Sequence, residues 1–252
     1  MEKKQTKGSH PDKISFWLLL YAFSYACFHI IPVFLNYEIV NKLLIADLLD
    51  MLTPFVMIFL IYILYRILSP YVMGNSDSTV KSKVKILLIF GAITFVEGHG
   101  MHLSSNALSR HLMGMKDFPV YNLNYFFDEI LSHIFWDGGI VLLSIGLILL
   151  GFNLNQKEEL NPKPVLIVFA FLLYGFTFFV NAVEGQTIVF TFPLAIILPL
   201  SIWLVSSHKG NLFTRNAVLS FYFFAYILAL GLFIFWGISQ NGFPQFSELG
   251  WI

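Results

Sequence analysis

The sequence predicts an all-α, polytopic membrane protein: a bundle of seven transmembrane helices with its N-terminus inside and its C-terminus outside. Three observations carry this. Hydrophobic residues make up 57% of the chain, charged residues only 12%, and the mean hydropathy is +0.74, whereas about a quarter of residues are charged in soluble domains. Apolar runs of spanning length, about 20 residues, recur at roughly 14 to 36, 48 to 68, 85 to 108, 125 to 151, 164 to 185, 187 to 206 and 217 to 239. Finally, lysine and arginine at the ends of these runs favour one side at every crossing.

Taken in order, residues 1–13 form a polar, basic segment read as a cytoplasmic N-terminus. The first apolar run is too long for a signal-peptide core and has no small-residue cleavage site after it, so it is read as a retained span. The second run has Asp47 and Asp50 at its outer end and Arg66 near its inner end; Lys81, Lys83 and Lys85 stand at the start of the third, which holds the densest polar stretch of the chain. The fourth carries acids and a histidine in its first half. Only Glu184, Gly185, Gln186 and Thr187 separate the fifth from the sixth, which requires a tight hairpin. The seventh is purely apolar and aromatic, and 240–252 follows as a short extracytoplasmic tail. No run repeats another and the connections are short, so 1–252 reads as one transmembrane domain without an inverted repeat.

Orientation follows from the basic residues. Lys3, Lys4, Lys7, Lys13, Arg66, Lys81, Lys83, Lys85, Lys157, Lys163, Lys209 and Arg215 fall on one side, against Lys42, Arg110 and Lys116 on the other. The positive-inside rule places the larger set in the cytoplasm. His29, the stretch from Glu97 to Asn106, Glu129, His133, Asp137 and Glu184 then gather in the outer half, an extracytoplasmic face of what is read as the plasma membrane.

Zero formal net charge gives no field to recruit nucleic acid. Cys27 is the only cysteine, so an intrachain disulfide and thiolate-rich metal sites are excluded and imidazole and carboxylate remain as strong ligands. Ionisable groups inside a span cost roughly 2.5 to 3.5 kcal/mol each and normally mark function. At 100° per residue His99, His102 and Asn106 share one helical face within about 60°, and Glu97 projects to nearly the opposite side unless the helix is distorted at Gly98 and Gly100. Glu129, His133 and Asp137 follow i, i+4, i+8 spacing along roughly 12 Å of the fourth helix. Thr177, Asn181 and Glu184 share a face of the fifth. His29, Asp47 and Asp50 read as interfacial, Asp128 and Glu129 lie so near the outer interface that solvation weighs equally with a role, and His10, His111 and His208 read as solvated.

Two or three imidazoles with a carboxylate and an open position suit a divalent ion that activates water. The expectation is a membrane metal-dependent hydrolase acting on a lipid or other membrane-associated substrate. His99, His102 and His133 are the candidate metal ligands, and Glu97, Glu129, Asp137 and Glu184 complete the sphere or serve as base. Zinc is the expected cofactor; a site holding iron, copper or haem would make an oxidoreductase instead. The rival class is a proton- or metal-ion transporter or channel using the same cluster. It requires polar residues through the inner half, where the fourth helix below Asp137 reads Gly-Gly-Ile-Val-Leu-Leu-Ser-Ile-Gly-Leu.

The seven-helix pattern with histidines and acids in its outer half resembles the seven-helix zinc hydrolases that include alkaline ceramidases and adiponectin-type receptors. That family places a histidine pair on its last helix, where this chain has none between Ala217 and Ser239. The resemblance is therefore one of architecture, and no residue roles carry over.

Overall fold

A computed structural model describes residues 11–72, 77–155, 160–210 and 214–251. Most of the polar N-terminal segment, Lys157 and the terminal Ile252 lie outside the described residues. Seven long helices form among those described: α1 (Pro11–Ile30), α2 (Ile45–Leu68), α3 (Asp77–His111), α4 (Pro119–Phe152), α5 (Pro164–Glu184), α6 (Ile188–His208) and α7 (Ala217–Ser239). Six of them, all but α3, are long and apolar enough to cross a membrane. Large apolar side chains lie exposed around the bundle, among them Phe23, Phe59, Phe90, Phe169, Leu200 and Phe235. Water does not tolerate so wide an apolar surface on a monomer, so the chain is an integral, multi-pass membrane protein. At 35 residues, α3 is about 52 Å long, well beyond the roughly 30 Å hydrocarbon core, and it carries lysines near one end and Arg110 and His111 at the other.

Several boundaries differ from the hydropathy reading. α1 stops at Ile30, and Pro32 opens a 3-10 turn over Ile31–Phe34. A small antiparallel hairpin follows, pairing Glu38–Val40 with Leu43–Leu44. Its turn residues Asn41 and Lys42 both have positive φ, the backbone of a tight I′-type reversal. Asn is suited to that conformation and Lys is not, so the turn carries no strong sequence signal. The Lys42 amide and ammonium both bond the exposed Glu38 carboxylate and hold it below its usual range.

The helices pack as a chain of neighbours: α3 on α4 is the most extensive pair, α1 lies against α2 and α5, and α7 against α5 and α6. The α3–α4 contact is close because glycine faces backbone on both sides. A Cβ on Gly98 would come within 2.5 Å of the Trp136 nitrogen, and one on Gly139 within 2.6 Å of the Phe95 nitrogen. Small residues allow such backbone approach in membranes, where lipid tails leave packing rather than the hydrophobic effect to drive association. α3 runs without a break through Gly98 and Gly100, so neither makes a kink; Gly98 serves packing, and Gly100 faces open space. Between α5 and α6 only Gly185, Gln186 and Thr187 intervene, with Gln186 at φ 52°, which is the tight hairpin the sequence requires.

Candidate functional site

The histidine and acid residues collect at the end of the bundle where α1, α3, α5 and α7 finish and α2, α4 and α6 begin. α4 prepares this end with an unusual turn. Phe126–Leu131 is π-helical, and the Ser132 hydroxyl donates to the Asp128 carbonyl within it. Such bulges add a residue to the helical turn and redirect the side chains around it.

Asp128 is 2% exposed, buried against α3 rather than solvated. Its Oδ2 accepts the Ser109 hydroxyl at 3.1 Å, and Ser109 Oγ accepts Asn124 Nδ2 at 2.7 Å. Asp128 Oδ1 lies 3.0 Å from His102 Nδ1, a close pair although off the line of an ideal hydrogen bond. On the far side of the same ring, Asn106 Nδ2 donates to His102 Nε2 at 2.9 Å. A polar chain thus runs Asn124, Ser109, Asp128, His102, Asn106 across the α3–α4 seam. Its proton order follows from its ends: the Asn106 amide donates to Nε2, so the ring proton sits on Nδ1 toward the carboxylate.

Four imidazoles surround Trp136. Ring centroids lie 3.7 Å away for His99, which is stacked on the indole, 4.9 Å for His29, 5.7 Å for His133 and 5.8 Å for His102. His29, His99 and His133 share one device: each Nδ1 faces the carbonyl four residues earlier, at 2.6, 2.9 and 2.8 Å. A carbonyl can only accept, so Nδ1 carries the proton and each Nε2 keeps its lone pair. That arrangement is the one metal-binding histidines use. However, among the described residues no group of three or more His, Cys, Asp or Glu side chains is placed to hold a metal ion. His99, His102 and His133 meet the indole instead of converging on one point.

Beside them lies a cavity of about 760 Å³. Its polar wall includes His29, Asp50, His102, Glu129, His133 and Asn181, and the rest is mostly aliphatic and aromatic. Phe34, Phe176 and Phe235 line it while also lying exposed, so its lining is continuous with the apolar outer surface of the bundle.

The other candidate acids fall into distinct places. Glu97 is exposed on the outside of α3 and does not line this cavity; the unbroken helix leaves it opposite His99 and His102. Asp137 also leaves the cavity wall. Each i+4 step advances 40° beyond a full turn, so two steps carry Asp137 about 80° from Glu129. It is buried, accepting the Thr187 hydroxyl at the start of α6, with Oδ1 unpartnered among the described residues. Glu184 lines the cavity, but its Oε2 accepts the backbone amides of Phe246 at 2.8 Å and Ser247 at 3.2 Å. The chain after α7 consequently folds back over this end. Trp236 Nε1 donates to the Pro244 carbonyl, and Trp236, Phe246 and Trp251 pack together, tilted and edge-to-face, in the cavity wall.

Sequence reading missed Asp128, Asn124, Ser109, Trp136, His29 and Asp50 as members of the site. Two i, i+4 pairs carried a signal, Ser105 with Ser109 and Asn124 with Asp128, one on each facing helix. Arg110 and Asp47 are also not merely interfacial: Arg110 bonds both Asp47 oxygens at 2.6 and 2.8 Å and the Lys42 carbonyl at 2.8 Å, pinning the hairpin and the start of α2 to α3. No known protein family matches the chain, and no curated protein or solved structure is recognisably similar to it.

Proposed function

We propose that this protein is a membrane-embedded hydrolase that admits a lipid-like substrate sideways and cleaves an ester or amide at the His102–Asp128 pair. The observation that carries this reading is an imidazole, oriented from behind by a buried carboxylate, at the wall of a cavity whose lining continues onto the apolar outer surface. His102 Nε2 takes a proton from water as the water oxygen adds to the substrate carbonyl, and it returns that proton to the departing alcohol or amine. Asp128 keeps the Nδ1 proton in place and balances the charge while the ring holds two protons, the orienting role a carboxylate plays behind a catalytic histidine. Asn106, which holds the Nε2 lone pair in the present arrangement, hands it to the water. Glu129 and His133 stand on the same wall as further proton-handling groups. The lysine and arginine bias supports an extracytoplasmic placement of this end, in the plasma membrane, where lipid head groups supply the substrate.

The test is lipid turnover. Purified protein incubated with a total lipid extract should release fatty acid detectable by mass spectrometry, and His102→Ala and Asp128→Asn should lower the rate by about 10²-fold or more. Full activity in both variants would sink this assignment.

A metal-assisted version is supported by the three imidazoles whose Nε2 atoms are kept as acceptors. Zinc or another divalent ion would supply Lewis acidity only if these histidines regrouped, because no three His, Cys, Asp or Glu side chains among the described residues are placed to hold one, and elemental analysis of chelator-free protein decides between the versions. Proton or metal-ion transport is the second reading, favoured by tyrosine hydroxyls buried beyond Asp137 in the half that the sequence presents as apolar. Flux into proteoliposomes that persists in His102→Ala would favour it over hydrolysis.

A further inference from the structure

Inward of Asp137, five tyrosines lie in the centre of the bundle: Tyr21 and Tyr25 on α1, Tyr174 on α5, Tyr222 and Tyr226 on α7. All five side chains are fully buried. Their rings pack on one another, with Tyr174 at the hub, 5.2 to 6.3 Å from the other four. Packing alone would be served by phenylalanine, which occupies the neighbouring buried positions Phe178, Phe221 and Phe233. The hydroxyls therefore require their own account.

Two are satisfied. Asn181 Nδ2 donates to the Tyr25 hydroxyl at 2.9 Å. Ser144 Oγ lies 2.9 Å from the Ile140 carbonyl, to which it can donate, and 2.8 Å from the Tyr174 hydroxyl, a contact in which either oxygen can be the donor. The hydroxyls of Tyr21, Tyr222 and Tyr226 find no hydrogen-bond partner among the described residues. Yet they are not scattered: Tyr222 and Tyr226 lie within interaction range of Ser144, and Tyr21 within range of Tyr222, without reaching bonding geometry. Asp137, with its own unpartnered oxygen, stands seven residues before Ser144 on the same face of α4, about 10 Å along its axis.

We propose that the hydroxyls of Tyr21, Tyr174, Tyr222 and Tyr226 around Ser144 bind water inside the bundle, making a hydrogen-bonded chain that leads up to Asp137. Three donors left unmet together in a low-dielectric interior would each be destabilising, and a buried water characteristically serves groups that otherwise lack partners, making about three bonds. Ser144 Oγ and the Tyr174 oxygen retain lone pairs to accept from such a water, and the unmet phenols supply donors to it. A chain of this kind gives Asp137 a route for proton exchange separate from the cavity.

X-ray hydroxyl-radical footprinting of the whole protein in detergent tests this, because radicals form on bound water and mark the side chains beside it. Tyr21, Tyr222 and Tyr226 should oxidise several-fold faster than the equally buried Phe178 and Phe233, after correction for intrinsic reactivity. Tyr222→Phe and Tyr226→Phe should each lower the melting temperature, since removing a hydroxyl that binds water strands its partners. A dry cluster gives the opposite result: labelling at the level of Phe233, or phenylalanine variants that melt higher because an unmet donor has been deleted. Either result overturns the proposal, and the labelling arm needs no variant to fold.

Discussion

Replacing Gly98 with alanine tests whether the α3–α4 seam holds the site together. The added Cβ would sit 2.5 Å from the Trp136 nitrogen, 2.6 Å from the Ser132 oxygen and 2.9 Å from the Trp136 Cα. Carbon contacts are favourable near 3.5 Å or more, so the helices must part locally by about 1 Å. The obstructing atoms are backbone and cannot rotate aside, which puts the cost at the upper end of overpacking, about 3 kcal/mol. Alanine returns about 1 kcal/mol through its helix propensity, leaving a net loss of about 2 kcal/mol. At about 2–4 °C per kcal/mol for a chain near this size, tryptophan-fluorescence melting in detergent should fall by about 4–8 °C. Gly100→Ala is the internal control: a Cβ there meets nothing within 4 Å, so only the propensity gain remains and the melting temperature should hold or rise by up to about 4 °C. Because Trp136 contacts all four histidines, Gly98→Ala should also reduce turnover, and Gly100→Ala should not. Equal melting shifts in the two variants would refute the close-packed seam.

Glu97→Gln should leave turnover unchanged and stability within about 0.5 kcal/mol, since the side chain is exposed and does not line the cavity; loss of activity would bring Glu97 back as a catalytic group. Arg110→Ala strands a buried Asp47, and with the arginine itself partly exposed the cost should be about 3 kcal/mol, with hydrogen exchange in Glu38–Leu44 accelerating; an unaltered hairpin would show that Arg110 does not pin it. Gly185→Ala would place a Cβ 2.8 Å from the His133 ring. The imidazole can swing, so turnover should drop with little change in melting, and a variant with full activity would remove His133 from the proton-handling wall. Glu184→Gln weakens the acceptor for two tail amides, so exchange at Phe246 and Ser247 should quicken; unchanged protection there would show that the tail is held by its aromatic packing alone.

The helices and the crowding of the site were legible because both rest on simple sums. A span requires about 20 apolar residues whatever its neighbours, and α7 runs from Ala217 to Ser239 as hydropathy alone indicates. Ionisable residues in such spans are costly enough to mark a polar interior, and His102, His133 and Glu129 do meet at one cavity. Helical angle also separated Glu97 from His99 and His102. What was not legible depends on partners. Asp128 reads as solvated as readily as functional until the π-turn and α3 bring it to His102, and Asp137 reads as part of a stripe until Thr187 on α6 partners it. Glu184 looks like a free acid until the tail amides occupy it.

By itself, then, the sequence determined that the chain lives in a bilayer, which stretches of it form long helices, though some ends lie six to eight residues from the hydropathy bounds, and that its imidazoles and carboxylates share one end. These follow from transfer free energy and helical period, which are properties of single segments. The tertiary structure decided which acid stands behind which histidine, that four imidazoles encircle Trp136, and that the apolar-looking half conceals a cluster of tyrosine hydroxyls. Those outcomes turn on gaps of a few ångströms between helices distant in sequence, set by glycine contacts such as Gly98 on Trp136 that no single segment encodes.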